Sequence, residues 1–179
     1  MNAPEPAPVI SASGESNLAE QLFPLIAAQS FFKGMSAQQL QVLAASAMQV
    51  EFKPEESIFR EGEPANRFYL ILEGKVVLES EVKEHGTIPV RTLGPGDNLG
   101  WSWLFPPYYL HFSARALEPV RAIFFYGTRL RQQCEEDHEL GYELMKRVAE
   151  VLVTNLNATQ QYLRESTNAD SGKISADEK

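Results

Sequence analysis

Cysteine is almost absent from this chain: Cys134 is the one thiol in 179 residues. A single thiol excludes an intramolecular disulfide and a cysteine-built metal cage, and it fits a reducing, cytoplasmic location. Long hydrophobic runs are also missing. No stretch approaches the ~18 consecutive apolar residues of a membrane span, so no membrane partner is expected. The first residues, Met1-Asn-Ala-Pro-Glu-Pro-Ala-Pro-Val-Ile, lack the basic start and apolar stretch of a secretory signal. Positive charge is scarce: 16 Lys and Arg stand against 24 Asp and Glu, a formal net charge of −8. A nucleic-acid reader would cluster its cations. Here the densest group, Arg129-Leu-Arg131, is followed at once by Glu135-Glu136-Asp137, the pattern of a solvated surface, and nucleic acid is not expected as a partner.

Chemistry-bearing patterns are few. The three histidines, His85, His111 and His138, fall on a hairpin tip, a strand and a helix start, and no pair has metal-ligand spacing. There is no G-x-S-x-G, no P-loop and no G-x-G-x-x-G. Cys134 is followed by carboxylates, which raise rather than lower a thiol pKa. The chain is therefore expected to be non-enzymatic, with no catalytic residues, no metal and no cofactor.

What is present reads as one domain with one core, preceded by a flexible leader over residues 1–16. Leu18, Leu22, Phe23, Leu25 and Ile26 recur at helical spacing behind Asn17, a candidate N-cap, with Pro24 expected to kink this helix or to push its start later. Ser36-Ala-Gln-Gln39 has the form of a capping box and opens a second helix carrying Leu40, Leu43 and Ala44. From Met48 the period shortens to two. Short apolar runs at Ile58-Phe59, 68–72, 76–78, 88–93, 114–116 and 120–126 alternate with turns at Pro54-Glu55-Glu56, 61–64, Gly74, 84–87 and 94–97. Many short strands at this spacing predict a small barrel or jelly roll. A long helix is expected over 137–164, and a polar, disordered tail over 165–179.

The order of helices, strands and one long helix resembles the cyclic-nucleotide-binding fold of bacterial catabolite activators and kinase regulatory subunits. The resemblance rests on Phe31-Phe-Lys-Gly-Met-Ser, on the stretch from Phe52-Lys-Pro-Glu-Glu to Leu72-Glu-Gly74, and on Leu93-Gly-Pro-Gly-Asp. It implies a mainly β fold with flanking helices: a cyclic-nucleotide-binding-like jelly-roll barrel over 48–127 within a domain spanning 17–164.

Residues 96–117, G-D-N-L-G-W-S-W-L-F-P-P-Y-Y-L-H-F-S-A-R-A-L, resemble that family's phosphate-binding cassette, F-G-E-[LI]-A-L followed by P-R-x-A-x-V-x-A. Aligned from Gly100, Trp101 stands where the family has the Glu that grips the ribose hydroxyl. Leu110 stands where it has the Arg that pairs with the cyclic phosphate. Indole offers only a donor, so Trp101 cannot accept hydroxyl hydrogen bonds. Loss of the Arg clamp should cost about 2–5 kcal/mol. Arg115 is the nearby cation that could stand in. Gly100, Trp101, Ser102, Leu110, His111, Phe112, Ser113 and Arg115 form the candidate ligand site. A nucleotide is the one small-molecule ligand the resemblance brings in. The same stretch concentrates Trp101, Trp103, Phe105, Tyr108, Tyr109, His111 and Phe112. These rings read either as a pocket or contact surface for a flat ligand or a protein, or as filler for the space a nucleotide would take.

On the long helix, Leu144, Val148, Val151, Leu152 and Leu156 are expected to form a homodimer contact, as in the family's dimer helix, with part of the apolar surface packed on the barrel. The ~15 polar residues after that helix are too few for the helix-turn-helix reader that follows it in the family's transcription factors. The expected function is a regulatory or accessory module with a degenerate cassette, acting through a protein partner or a non-standard ligand. The alternatives are a true cyclic AMP or cyclic GMP receptor with an unusual pocket, a subunit similar to the small accessory subunits of NAD-reducing hydrogenases, and a structural dimer module with a filled barrel.

Overall fold

The structure is a computed structural model that describes residues 12–84 and 86–174. His85, placed at a hairpin tip by its sequence, lies outside the described residues. Two helices open the chain, α1 (Ala12–Ala27) and α2 (Ala37–Ala45), with a short 3-10 turn at Ser30–Phe32 between them. Eight strands follow: β1 (Ala47–Phe52), β2 (Ser57–Phe59), β3 (Arg67–Glu73), β4 (Val76–Val82), β5 (Gly86–Leu93), β6 (Asn98–Leu99), β7 (Ser113–Ala116) and β8 (Val120–Tyr126). Helices α3 (Gly127–Glu136) and α4 (His138–Ile174) complete the order.

Every strand pair is antiparallel. Among the described residues the strands form two four-stranded sheets, ordered β1-β8-β3-β6 and β2-β7-β4-β5. Consecutive strands thus often lie in different sheets, which makes a jelly roll rather than a meander. The alternation of β3 shows why the barrel closes. Tyr69 and Ile71 face inward into a cluster with Ile58, Phe59, Val76, Leu93, Leu99, Leu110, Val120 and Phe124. Phe68 faces the other way, with its ring centroid 5.4 Å from that of Phe31 in the 3-10 turn and 5.9 Å from that of Phe125. A strand buried on both faces reads as a continuous apolar run, as Phe68-Tyr-Leu-Ile71 does.

The capping box forms as expected, with the Ser36 hydroxyl accepting from the Gln39 N–H at 3.2 Å and the Gln39 side chain accepting from the Ser36 N–H at 3.0 Å. Other expectations need correction. Helix α1 begins at Ala12, inside the segment expected as a leader, so Asn17 is an interior residue and not its N-cap. Pro24 sits in the last turn of α1, where it forgoes one hydrogen bond to the preceding turn, and its own carbonyl still accepts from Ala28 at 3.1 Å. Helix α3 was not anticipated as a separate element. Its exposed, polar sequence Gly127-Thr-Arg-Leu-Arg-Gln-Gln-Cys-Glu-Glu136 carries only Gly127 and Leu130 as buried residues. The long helix begins as expected, because the Asp137 carboxylate accepts from the N–H groups of Glu139 and Leu140 at 3.0 Å each. It then runs to Ile174, past the boundary set at 164, since no proline follows Pro119 to stop it. Residues 1–141 and 142–179 form two separate compact units. No helix among the described residues is long and apolar enough to cross a membrane.

Candidate functional site

The cassette begins where β6 delivers the chain to Gly100. That residue has φ +82°, and a Cβ placed on it would lie 2.3 Å from the carbonyl oxygen of Arg67. Glycine is therefore required twice over, by the left-handed backbone and by the close approach of β3. A 3-10 turn, Trp101–Leu104, follows. Within it Ser102 and Trp103 are buried, while Trp101 is half-buried with its ring 6.2 Å from that of exposed His111. Trp103 turns away from the barrel interior, with its ring centroid 6.2 Å from that of Phe68 on the helix-facing side of β3. The Trp103 carbonyl accepts from the Arg131 guanidinium at 2.7 Å, and the same guanidinium lies 4.5 Å from the centre of the Tyr108 ring. Helix α3 is thereby joined to the cassette, through a residue that its sequence setting had marked only as solvated surface.

Leu110 is held on both sides. Its N–H donates to the Glu63 carbonyl at 2.9 Å and its carbonyl accepts from Gly62 at 2.8 Å. Its side chain is 5% exposed and belongs to the barrel core. The residue expected at the position of the family's cation is thus a core residue. Arg115 lies between Ala114 and Ala116, both of which face the barrel core, so it projects from the opposite face of β7. There it is ion-paired with Glu79 and Glu55. Alternation along the strand and this pairing remove Arg115 as a stand-in for the clamp. Phe112 and Ser113 are half-buried, and the Ser113 hydroxyl accepts from the Glu61 N–H at 3.0 Å.

The barrel interior is lined by rings that come from the strands. Tyr69 lies 5.8 Å from Phe52, 6.2 Å from Phe59 in a stacked arrangement, and 5.4 Å from Phe124, all centroid to centroid. Three of the cassette's aromatics do not enter that interior. Trp103 packs on the other side of the sheet, and Tyr108 and Tyr109 are exposed. The inward face of β3 continues from Tyr69 to Arg67, so the Arg67 side chain stands at the barrel mouth, hydrogen-bonded to the Tyr69 phenol. Burial pushes the Tyr69 pKa up, and the Arg67 cation opposes that shift. Arg67 was not singled out in the sequence. Arg67 is exposed at the start of β3, and the period-two count that places Tyr69 and Ile71 inside puts it on the same face of the strand, which was the signal that could have found it.

Cys134 is half-buried, and burial, with added repulsion from Asp137 and Glu135, pushes its thiol pKa to about 11. That excludes an activated thiolate at neutral pH. Of the helix residues expected at a dimer contact, Leu144 and Val148 are buried within the chain at 1% and 0% exposure. Val151 and Leu152 are half-buried, and Leu156 is exposed. Among the described residues, the large exposed apolar side chains on this helix are Tyr142, Met145, Val153 and Leu156.

Comparison with known proteins decides the family. The model of the cyclic nucleotide-binding domain matches residues 49–137. A crystal structure of a candidate cyclic nucleotide-binding protein from Geobacter metallireducens GS-15 is 33% identical, with a TM-score of 0.67, over 77% of this chain and 97% of that one. This chain belongs to the cyclic-nucleotide-binding domain family. A cyclic nucleotide-binding domain from Methylobacillus flagellatus KT, 16% identical with a TM-score of 0.71 over 85% of each chain, shares the fold. The CRP-like cAMP-activated global transcriptional regulator of Mycobacterium tuberculosis is 27% identical over 139 residues, which are 78% of this chain and 60% of the relative. The chain thus spans 60% of the length of the curated relatives it matches. As a cyclic-nucleotide-binding domain it has the family's jelly-roll fold.

Proposed function

We propose that this domain is a non-enzymatic regulatory or accessory module whose cassette no longer clamps a cyclic phosphate, and which acts through a protein partner or a different ligand. The observation that carries this reading is the placement of Leu110 in the barrel core together with Arg115 on the outer face, locked to two carboxylates. A bidentate guanidinium contact is the strongest single element of phosphate recognition in such a site, and backbone amides alone do not replace it. The similarity to a cAMP-activated regulator supports a regulatory role, and the altered residues argue against the same trigger.

A homodimer is part of this reading. The surface offered to a second copy is the exposed line of Tyr142, Met145, Val153 and Leu156, since Leu144 and Val148 are already buried. Helical neighbours at these separations lie along one stripe.

Thermal unfolding with and without 1 mM cyclic AMP or cyclic GMP tests the proposal. A micromolar ligand at ~1,000 times its Kd would stabilise the fold by ~4 kcal/mol and raise Tm by several degrees. No shift is expected. A saturable shift of that size with either nucleotide would restore the receptor reading.

A further inference from the structure

We propose an oxyanion-binding subsite at the mouth of the barrel, built by Arg67 with the phenols of Tyr69 and Tyr126, that takes the carboxylate or phosphate of a small ligand. It rests on the reading that the cassette no longer supplies the cation, and it assigns that cation to β3, the strand beside the cassette.

The placement follows from strand register. Arg67 pairs with Tyr126 across β3 and β8, and Tyr69 pairs with Phe124. Directly opposed residues of an antiparallel pair share a face, so all four belong to the inward face. The Tyr126 ring is 4.6 Å from Phe124, edge on, and Phe124 is 5.4 Å from Tyr69, which joins the mouth to the aromatic interior. Tyr69 is 3% exposed, yet its phenol reaches Arg67 and feels the field of Tyr126. The mouth thus presents a guanidinium and two hydroxyl donors, the complement that an oxyanion accepts from.

The charge around Arg67 favours an external partner. Among the described residues no ion pair engages it, whereas Arg115, Arg121 and Arg147 are each matched to carboxylates. Glu63 acts on the neighbouring Tyr69 phenol, and its carboxylate already accepts the Arg60 backbone N–H at 3.2 Å in the turn before β3. The Arg67 carbonyl lies against Gly100, which places the start of β3 beside the first residues of the cassette.

The test uses the full chain, titrated with sodium phosphate and, separately, sodium acetate at constant ionic strength, read by calorimetry and by Tm. Arg67→Gln, Tyr126→Phe and the surface control Arg60→Gln are compared with the unaltered protein. Saturable binding with a millimolar midpoint is expected for the unaltered protein and for Arg60→Gln. About tenfold weakening is expected for Arg67→Gln, and a several-fold weakening for Tyr126→Phe, which also serves if Arg67→Gln does not fold. Saturation by phosphate alone would assign a phosphate-bearing ligand, by acetate alone a carboxylate, and by both a general oxyanion site. Equal binding to the unaltered protein, Arg67→Gln and Tyr126→Phe would overturn the subsite, as would no saturation with either anion. Cyclic AMP is run alongside. Micromolar binding that survives Arg67→Gln would strike the proposed function, while the phosphate and acetate titrations would still decide the subsite.

Discussion

At the scale of single residues, the cassette keeps its backbone and changes its side chains. Gly100 must adopt φ +82° within 2.3 Å, Cβ to oxygen, of the Arg67 carbonyl, so its replacement strains the turn even where no ligand is involved. Gly100→Ala is expected to lower stability by about 1–3 kcal/mol from the backbone alone, with more from the displaced strand. Urea unfolding would show a lower midpoint at unchanged slope. Cys134 makes a second residue-scale prediction. With a thiol pKa of about 11, its thiolate fraction at pH 8 is on the order of a hundredfold below that of a free cysteine. Alkylation by iodoacetamide should be markedly slower in the folded protein than in a free cysteine, though by less than the thiolate fraction alone because a raised pKa makes the thiolate more nucleophilic, and denaturant should restore the ordinary rate. These two positions also show what the sequence can and cannot say. The glycine turn was legible from Gly94-Pro-Gly-Asp and Gly100, because turn chemistry is local. The fate of Arg115 was not, because its partners Glu79 and Glu55 lie 36 and 60 residues away.

At the scale of elements, strand alternation carried most of the architecture. Runs such as Phe68-Tyr-Leu-Ile71 placed β3, and the shared turns placed its neighbours. Two helical features were missed for a common reason, which is that polar sequences give no periodic apolar signal: the early start of α1 and the whole of α3. The place of Arg67 on the inward face of β3 was overlooked for a different one, since a charged residue at a strand start is ordinarily read as solvated. Helix α4 carries its own testable pair. The Glu143 pKa is lowered by its hydrogen bond from Arg147, with further help from the charges of Arg147 and Lys146. A carboxylate whose folded pKa is depressed stabilises the fold above its unfolded pKa and loses that contribution as pH falls through the folded one. Glu143→Gln should therefore destabilise the protein at pH 7, with the difference shrinking as pH falls below the ordinary glutamate value near 4 and vanishing at lower pH. Urea midpoints of both proteins at pH 7, 4 and 2.5 would check the sign.

At the scale of the whole molecule, the chain is a cyclic-nucleotide-binding jelly roll, and we propose that Trp101 and Leu110 stand at its two ligand-gripping positions. The fold is held by the aromatic interior around Tyr69 and by the cluster of Phe31, Phe68 and Phe125 on the outer face of that sheet, neither of which depends on a nucleotide. Self-association belongs to this scale as well. Met145→Glu with Leu156→Glu places two charges on the exposed stripe of α4 and should shift sedimentation from dimer toward monomer, with helical circular dichroism unchanged. A dimer that survives both substitutions would place the contact elsewhere. The central claim, that this domain does not clamp a cyclic phosphate, is tested most directly by calorimetric titration of the purified chain with cyclic AMP and cyclic GMP. The account predicts no saturable heat below ~1 mM for either nucleotide. Binding of cyclic AMP or cyclic GMP at micromolar Kd would contradict it.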